Sequence, residues 1–237
     1  MTFIRSLPLN FNIPAFSFKS MPAVYNPQIQ SEPVGDGFSS NPLYEGFGTE
    51  EQILAEAKSN PRIKEILNKY KIPLKLNMQE LNQLKRGHMR ETRVIAAQIY
   101  SALPKEMKAE VNLPDLQEAA MFHDYGKVLI PASILNKAGA LTEEEHEIMQ
   151  LHSELSYELL KNQNLSEDAL NMIRNHHDTG DNLGAQILST ADKYSALRED
   201  RCYKDPLSRE QALAIIKEDV DNGAIAPEVY EALAKSV

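Results

Sequence analysis

The chain has 237 residues, 42% of them hydrophobic, enough for one sizeable core. Its net charge of -9 and its lack of a basic stripe argue against long nucleic acid as a partner. Cys202 is the one cysteine, which excludes an intramolecular disulfide and fits a reducing cytoplasm. No apolar run approaches the ~20 residues of a membrane span, and Pro8, Asn10, Asn12 and Pro14 interrupt any signal-peptide core. The expectation is a cytoplasmic protein with no membrane partner.

Residues 1–48 differ from the rest. Six of the thirteen prolines (Pro8, Pro14, Pro22, Pro27, Pro33 and Pro42) and six of the seven phenylalanines (Phe3, Phe11, Phe16, Phe18, Phe38 and Phe47) lie there. Proline fixes φ and removes backbone donors, so an irregular extension is expected. Ordinary linkers are poor in aromatics. Two readings stay open: a loose tail packed partly onto the domain, or an arm that binds a protein partner or a second copy of the chain.

Residues 49–75 read as a short helical lead-in, Thr49–Ser59 and Pro61–Tyr70, with Pro61 suited to a first turn. Asn77 with Glu80 resembles a capping box and opens a long helix toward Leu103. Pro114 starts another, which Gly126 is expected to end in the left-handed conformation. Thr142 with Glu145 forms a second capping box before a helix to about Lys161, and Ser166 caps the next, through His176. Helices over Leu183–Glu199, Ser208–Val220 and Pro227–Lys235 complete the chain. No alternating strand pattern of useful length appears, so the fold class is all-α.

Five of the six histidines fall on inward faces of these helices. Leu81, Leu84, His88, Ile95 and Ile99 recur at helical spacing. Leu116, Ala119 and His123 share a face, as do Ile148, His152, Leu155 and Leu159. Leu170, Ile173 and His177 share another, with His176 beside them. Leu188, Asp192 and Ser195 line the helix after that. His146, about 200° from Ile148 on its wheel, belongs to the acidic solvent face Glu143-Glu144-Glu145 and is set aside. Buried carboxylates need a cation or several donors, and few inward Lys or Arg are available to Asp124 and Asp192. Imidazole nitrogen with carboxylate oxygen suits Fe, Mn or Zn. Two such ions at roughly 3.5–4 Å are an established arrangement for phosphate-ester hydrolysis.

These residues come in a recognisable order. His88, His123-Asp124-Tyr125-Gly126-Lys127, Pro131, Ile134-Leu135-Asn136-Lys137-Ala138-Gly139-Ala140-Leu141-Thr142, His152, His176-His177 and Asp192 resemble the HD superfamily of metal-dependent phosphohydrolases. Asp192-Lys193-Tyr194-Ser195-Ala196-Leu197, then Arg201-Cys202-Tyr203-Lys204, extend the likeness toward the HD-GYP branch, whose active members hydrolyse cyclic di-GMP. The resemblance covers about residues 76–237 and implies an HD-domain helical bundle. Three departures stand out. Only Asp178–Gly184 separates the histidine doublet from the next helix, so the Gly-Tyr-Pro loop is missing. Ser195 replaces an aspartate and Cys202 a proline. Leu84 occupies the position where three-metal members carry Glu, which favours two ions.

By resemblance, His88, His123 and Asp192 hold one divalent ion, His152, His176 and His177 hold the other, and Asp124 bridges them. The reaction implied is attack by an activated water on a phosphate ester of a small nucleotide, with cyclic dinucleotides among the candidates. Lys127 matches the family lysine that helps bind phosphate; its plainer role is to complement a helix C-terminus. Arg198 and Arg201 are candidates for substrate contact, or else surface ion-pair residues. Tyr125 and Tyr194 are candidates for base stacking, with ordinary packing as the simpler role. A rival reading is a catalytically inactive signalling module that binds a nucleotide or a protein. The shortened loop favours it and the buried ligand set opposes it.

Overall fold

The computed structural model describes residues 48–199 and 206–237, and every regular element among them is helical. The Pro/Phe-rich extension up to Phe47, together with Arg201 and Cys202, lies outside the described residues. Helices α1 (Glu50–Ser59) and α2 (Pro61–Lys69) form the lead-in. Thr49 opens α1 with a capping box closed by Gln52. Asn60 then does two jobs: its carbonyl oxygen Oδ1 caps α2 through the Arg62 and Ile63 amides, while its Nδ2 donates to Glu158 O and Oε2 at 3.0 and 2.9 Å. A cap that also reaches 98 residues along the chain pins the lead-in to α8 (Glu143–Leu160).

The expected single helix from Asn77 to Leu103 is two helices, α3 (Met78–Arg86) and α4 (His88–Ala102), broken at Gly87, a poor helix former. The capping box expected at Asn77 does not form. Its Nδ2 donates to Ile130 O and its backbone N–H to Val128 O at 2.8 Å. Asn77 therefore ties the start of α3 to a distant segment instead of capping its own helix.

After the single turn α5 (Lys105–Lys108) comes α6 (Leu113–Phe122), then a 3-10 segment, Tyr125–Leu129, and the single turn α7 (Ala132–Leu135). Gly126 lies inside the 3-10 segment and is not among the glycines of positive φ, which are Gly48, Gly180 and Gly223. Its small size serves close packing: a Cβ there would sit 2.3 Å from His152 O and 2.5 Å from Ser156 N of α8. The remaining helices are α9 (Glu167–Asn175), α10 (Leu183–Arg198), α11 (Arg209–Asp221) and α12 (Pro227–Ser236). Thr142, Ser166, Asn182 and Ser208 cap α8, α9, α10 and α11 through their side chains.

Helix α4 is the axis of the bundle. It packs against α3, α6, α10 and α12, and α6 packs in turn on α9 and α10. Fully buried Ile99, Leu116, Ile173, Ile187 and Leu188 come from four of these helices and join one continuous core. Each buried aliphatic side chain of this size stabilises by about 1.5–3 kcal/mol in transfer terms. Apolar packing thus fixes the rotation of each helix, and with it the direction of every polar residue on its inward face.

Candidate metal centre

Three histidines are oriented by backbone alone. His123 and His176 follow directly on the ends of α6 and α9, where the last helical carbonyls have no intrahelical partner. Their Nδ1 atoms lie 2.9 Å from Ala120 O and 2.7 Å from Ile173 O, each three residues upstream. His152, inside α8, repeats the pattern with Met149 O at 2.6 Å. A carbonyl can only accept, so each ring carries its proton on Nδ1 and turns an Nε2 lone pair inward. The negative ends of α6 and α9 also favour a cation close by.

His88 is held differently. It heads α4, and its Nδ1 lies 3.2 Å from Ser195 Oγ on α10. Its Nε2 is 2.8 Å from Asp192 Oδ1. His123 Nε2 is 3.5 Å from the same oxygen, so His88, His123 and Asp192 form one group of converging ligand atoms. His152, His176 and His177 form a second: His152 Nε2 stands 3.2 Å from His176 Nε2 and 3.1 Å from His177 Nε2. Asp124 lies between the groups. Its Oδ1 is 3.3 Å from His152 Nε2, while its Oδ2 is 3.5 and 3.6 Å from His123 and His88 Nε2. Lys127 Nζ donates to Oδ2 at 2.7 Å.

Burial sharpens this chemistry. His123, Asp124, His152 and His176 are at most 4% exposed. Burial, then the nearby Lys127 charge, pushes His152 down to about 3, and burial together with neighbouring histidines holds His176 well below the usual imidazole value. Both rings are therefore neutral at physiological pH, the form that binds metal. Burial opposes the charge on Asp124, but Lys127 and then His123, His152 and His88 outweigh it and hold the carboxyl well below its usual range. Asp192 behaves likewise through His123 and His88. The centre opens to water along one side: His177 is exposed at its outer edge, and the Asp192 and Lys127 side chains retain 19% and 18% exposure.

The donor set fits metal ions on two grounds. His123 Nε2 is fully buried with no hydrogen-bond partner, an arrangement that costs about 1–3 kcal/mol unless something else satisfies it. His152 and His176, protonated on Nδ1, aim lone pairs at each other across 3.2 Å, which repel without a cation between them. Two nitrogens on one tetrahedral ion at ~2.0–2.1 Å would stand about 3.3 Å apart.

All seven residues expected as ligands are brought together, from α4, the α6 end, α8, the α9 end and α10. Arg198 is not drawn in: it is exposed, and its Nη1 donates to Leu207 O at 2.5 Å. Tyr125 and Tyr194, at 3% and 6% exposure, are core residues, and Lys85 Nζ lies 5.0 Å over the Tyr125 ring. Two supporting residues had no sequence signal. Ser156, fully buried, donates to His123 O at 2.8 Å and accepts the Gly126 amide at 2.7 Å, joining the segment that bears Asp124 to α8. Glu199 Oε2 stands 3.9 Å from His88 Nδ1. A serine or glutamate on a helix is too common to single out before its neighbours are known.

Comparison with known proteins points the same way. Residues 86–197 match the family model described as the HD domain. A cyclic di-GMP phosphodiesterase of Thermotoga maritima is 33% identical over 142 residues, 54% of this chain and 38% of that protein. The cyclic di-GMP phosphodiesterase response regulator RpfG of Xanthomonas campestris pv. campestris is 36% identical over 124 residues, covering 46% and 32%. A 3'3'-cGAMP-specific phosphodiesterase of Vibrio cholerae is 31% identical over 135 residues, covering 52% and 29%. The chain thus spans little more than a third of these relatives at most.

Proposed function

Since residues 86–197 match the HD-domain family model, we propose that the chain is a metal-dependent phosphodiesterase acting on a small phosphorylated nucleotide. Cyclic dinucleotides are the first candidates, because the names of the relatives specify cyclic di-GMP or 3'3'-cGAMP. The catalytic unit is residues 76–237, with 49–75 as its lead-in and 1–48 as an extension. The observation that carries this reading is the division of the Asp124 carboxylate, one oxygen toward each triad of ligand atoms. A carboxylate placed this way suits a bridge between two divalent ions, Fe, Mn or Zn.

When bound, such ions supply charge for the phosphoryl oxygens and acidify a water molecule. The chain's own residues do the rest. His88, His123 and Asp192 would hold one ion and His152, His176 and His177 the other, each buried ring fixed by its outer partner. Lys127, partly exposed beside Asp124, is placed to bind a non-bridging phosphate oxygen and to stabilise the charge that develops there. The open side along Asp192, Lys127 and His177 admits the phosphate, while the buried side excludes bulk water. The net charge of -9 disfavours long nucleic acid and leaves a small anion as the substrate.

The test is metal content by elemental mass spectrometry on full-length protein purified without oxygen or chelator, followed by hydrolysis of cyclic di-GMP and 3'3'-cGAMP. About two ions per chain with turnover supports the reading. A folded chain that stays empty after reconstitution with Fe, Mn and Zn sinks it. Two ions without hydrolysis of any nucleotide phosphodiester would turn the assignment to a binding module.

A further inference from the structure

The net charge of -9 conceals a short basic stretch that the expectation of no basic stripe passes over. Residues 58–75 hold Lys58, Arg62, Lys64, Lys69, Lys71 and Lys75 against a single acid, Glu65. All these cations are exposed, at the end of α1, on α2 and on the turn that follows. Their pairing sets them apart from lysines elsewhere. Lys127, Lys137, Lys161, Lys193, Lys217 and Lys235 each meet a carboxylate. Among the described residues Lys58, Lys64, Lys71 and Lys75 meet none, and Lys69 Nζ donates to the neutral Tyr70 hydroxyl at 3.2 Å.

The core holds this stretch in place. Ile63, Ile66, Leu67 and Ile72 are buried beneath it. Helix α2 closes as a Schellman turn: the Ile72 amide donates to Leu67 O at 2.8 Å and the Lys71 amide to Asn68 O at 3.2 Å. Lys71 therefore sits at φ +54°, the left-handed conformation that glycine adopts without strain. A lysine at this position costs stability that glycine would not. Beyond the turn, between Lys71 and Lys75, stands Leu74, 37% exposed. Leu74 and Val94 are the exposed large hydrophobics among the described residues.

We propose that the lysines of residues 58–75, together with Leu74, form a docking surface for the face of an anionic lipid bilayer. Lysine is a compact, hydrated point charge suited to a diffuse anionic field, whereas recognition of a carboxylate on a protein partner favours the arginine fork. The arginine here, Arg62, is already engaged by Glu65 and Glu154. A leucine between two lysines enters the headgroup boundary while the ammonium groups stay in the anionic layer. A nucleic-acid backbone would use the charges and leave Leu74 in water. This is docking at the surface, because no helix among the described residues is long and apolar enough to cross a membrane. The expectation of no membrane partner rests on that lack of a span. The surface shares no residue with the metal centre and stands whether or not the centre takes ions.

Co-sedimentation of the full chain with vesicles tests the proposal. The chain should partition onto vesicles of equal parts phosphatidylcholine and phosphatidylglycerol and stay free of pure phosphatidylcholine. Salt should release it, as the screening length falls from ~10 Å at 0.1 M to ~3 Å at 1 M. Lys71→Gly should weaken the partition about fivefold, the scale of one lysine near an anionic surface. The same change should raise the Tm by ~2–4 °C as the left-handed strain is relieved, so the weaker binding cannot come from unfolding. Lys64→Gln, Lys71→Gly and Lys75→Gln combined should weaken it about 100-fold. Leu74→Ser should weaken vesicle binding severalfold and leave retention on heparin unchanged. Lys217→Gln, which removes an equal charge from a lysine paired with Asp221, should change neither. A wild type that ignores the mixed vesicles overturns the proposal, as does an equal loss for Lys217→Gln and Lys71→Gly, which would make the effect one of net charge alone. Vesicle binding unchanged in Leu74→Ser, or duplex DNA held as tightly as the vesicles, also overturns it and reassigns the surface to a polyanion.

Discussion

Gly126→Ala would probe the packing that holds Asp124 against His152. The added Cβ would lie 2.3 Å from His152 O, 2.5 Å from Ser156 N and 2.8 Å from Leu155 Cβ, and ordinary contact begins at 3.4 Å. The 3-10 segment and α8 must therefore separate by about 1.1 Å, the difference between 3.4 and 2.3, because two of the three obstacles are backbone atoms that cannot swing aside. Overpacking of this kind costs about 1–3 kcal/mol. The buried bond from the Gly126 amide to Ser156 Oγ, 2.7 Å long, stretches too, at about 1 kcal/mol. A total near 3 kcal/mol corresponds to a fall in Tm of about 6–12 °C for a chain of this size. The same shift opens the 3.3 Å approach of Asp124 Oδ1 to His152 Nε2, and a misplacement of ~1 Å at a reacting centre costs about 100-fold in turnover. Scanning calorimetry on the metal-free protein and a hydrolysis assay on the loaded protein read the two effects separately. Gly139→Ala is the control, since nothing lies within 4 Å of its Cβ, and it should stay within about 0.5 kcal/mol of wild type. If Gly126→Ala melts within about 2 °C of wild type, below the shift for even 1 kcal/mol, the close approach is refuted.

Other outcomes follow from the same geometry. Asp124→Ala should lose both ions and all turnover; retention of both refutes the bridging role. Lys127→Ala should keep both ions and lower kcat by about 100-fold or more, the scale of a lost charge-stabilising donor, and unchanged kinetics would remove Lys127 from the chemistry. Stability of the metal-free chain should fall between pH 7 and 5.5. Burial pushes His152 down to about 3 and lowers His176 strongly, whereas an unfolded histidine ionises near 6.5. Below that pH the unfolded chain binds protons that these folded rings refuse, which costs up to ~1.4 kcal/mol per pH unit for each. His123 works in the opposite sense: burial opposes its charge, but Asp124 and Asp192 outweigh it and raise its pKa. Its contribution is present at low pH and is lost as pH rises through its folded value. Below pH 6.5 His123 is charged in the folded and unfolded chain alike and drops out, while His177 is lowered in the same sense as His152 and His176, so His152 and His176 together set a slope of up to ~2.7 kcal/mol per pH unit. Urea titrations at the two pH values measure it, and His152→Gln should flatten the dependence. Stability that is flat or rises toward pH 5.5 would contradict the assignment.

The sequence by itself determined which helices form, which of their faces turn inward, and hence which residues share the interior. Helix caps and apolar spacing are local properties: Thr49, Thr142, Ser166 and Ser208 cap where their sequence context says they should. Because an inward stripe must meet the core, seven polar residues on such stripes had to meet one another. The break at Gly87, a poor helix former, ends one helix and starts the next where a continuous stripe suggested a single rod. Two features depended on atoms far away in sequence. Asn77 turns its Nδ2 to the distant Ile130 carbonyl and makes no side-chain cap, an orientation set by the segment that docks against it. Gly126 is small because α8 presses on it, and no local rule separates that need from a left-handed turn. The tertiary structure also decided the division of labour within the set. Only packing places the two oxygens of Asp124 toward different triads, and only packing gives His88 a hydroxyl where its three buried counterparts have carbonyls. Side-chain type is written in the chain, but the direction from which each partner approaches is set when the helices dock.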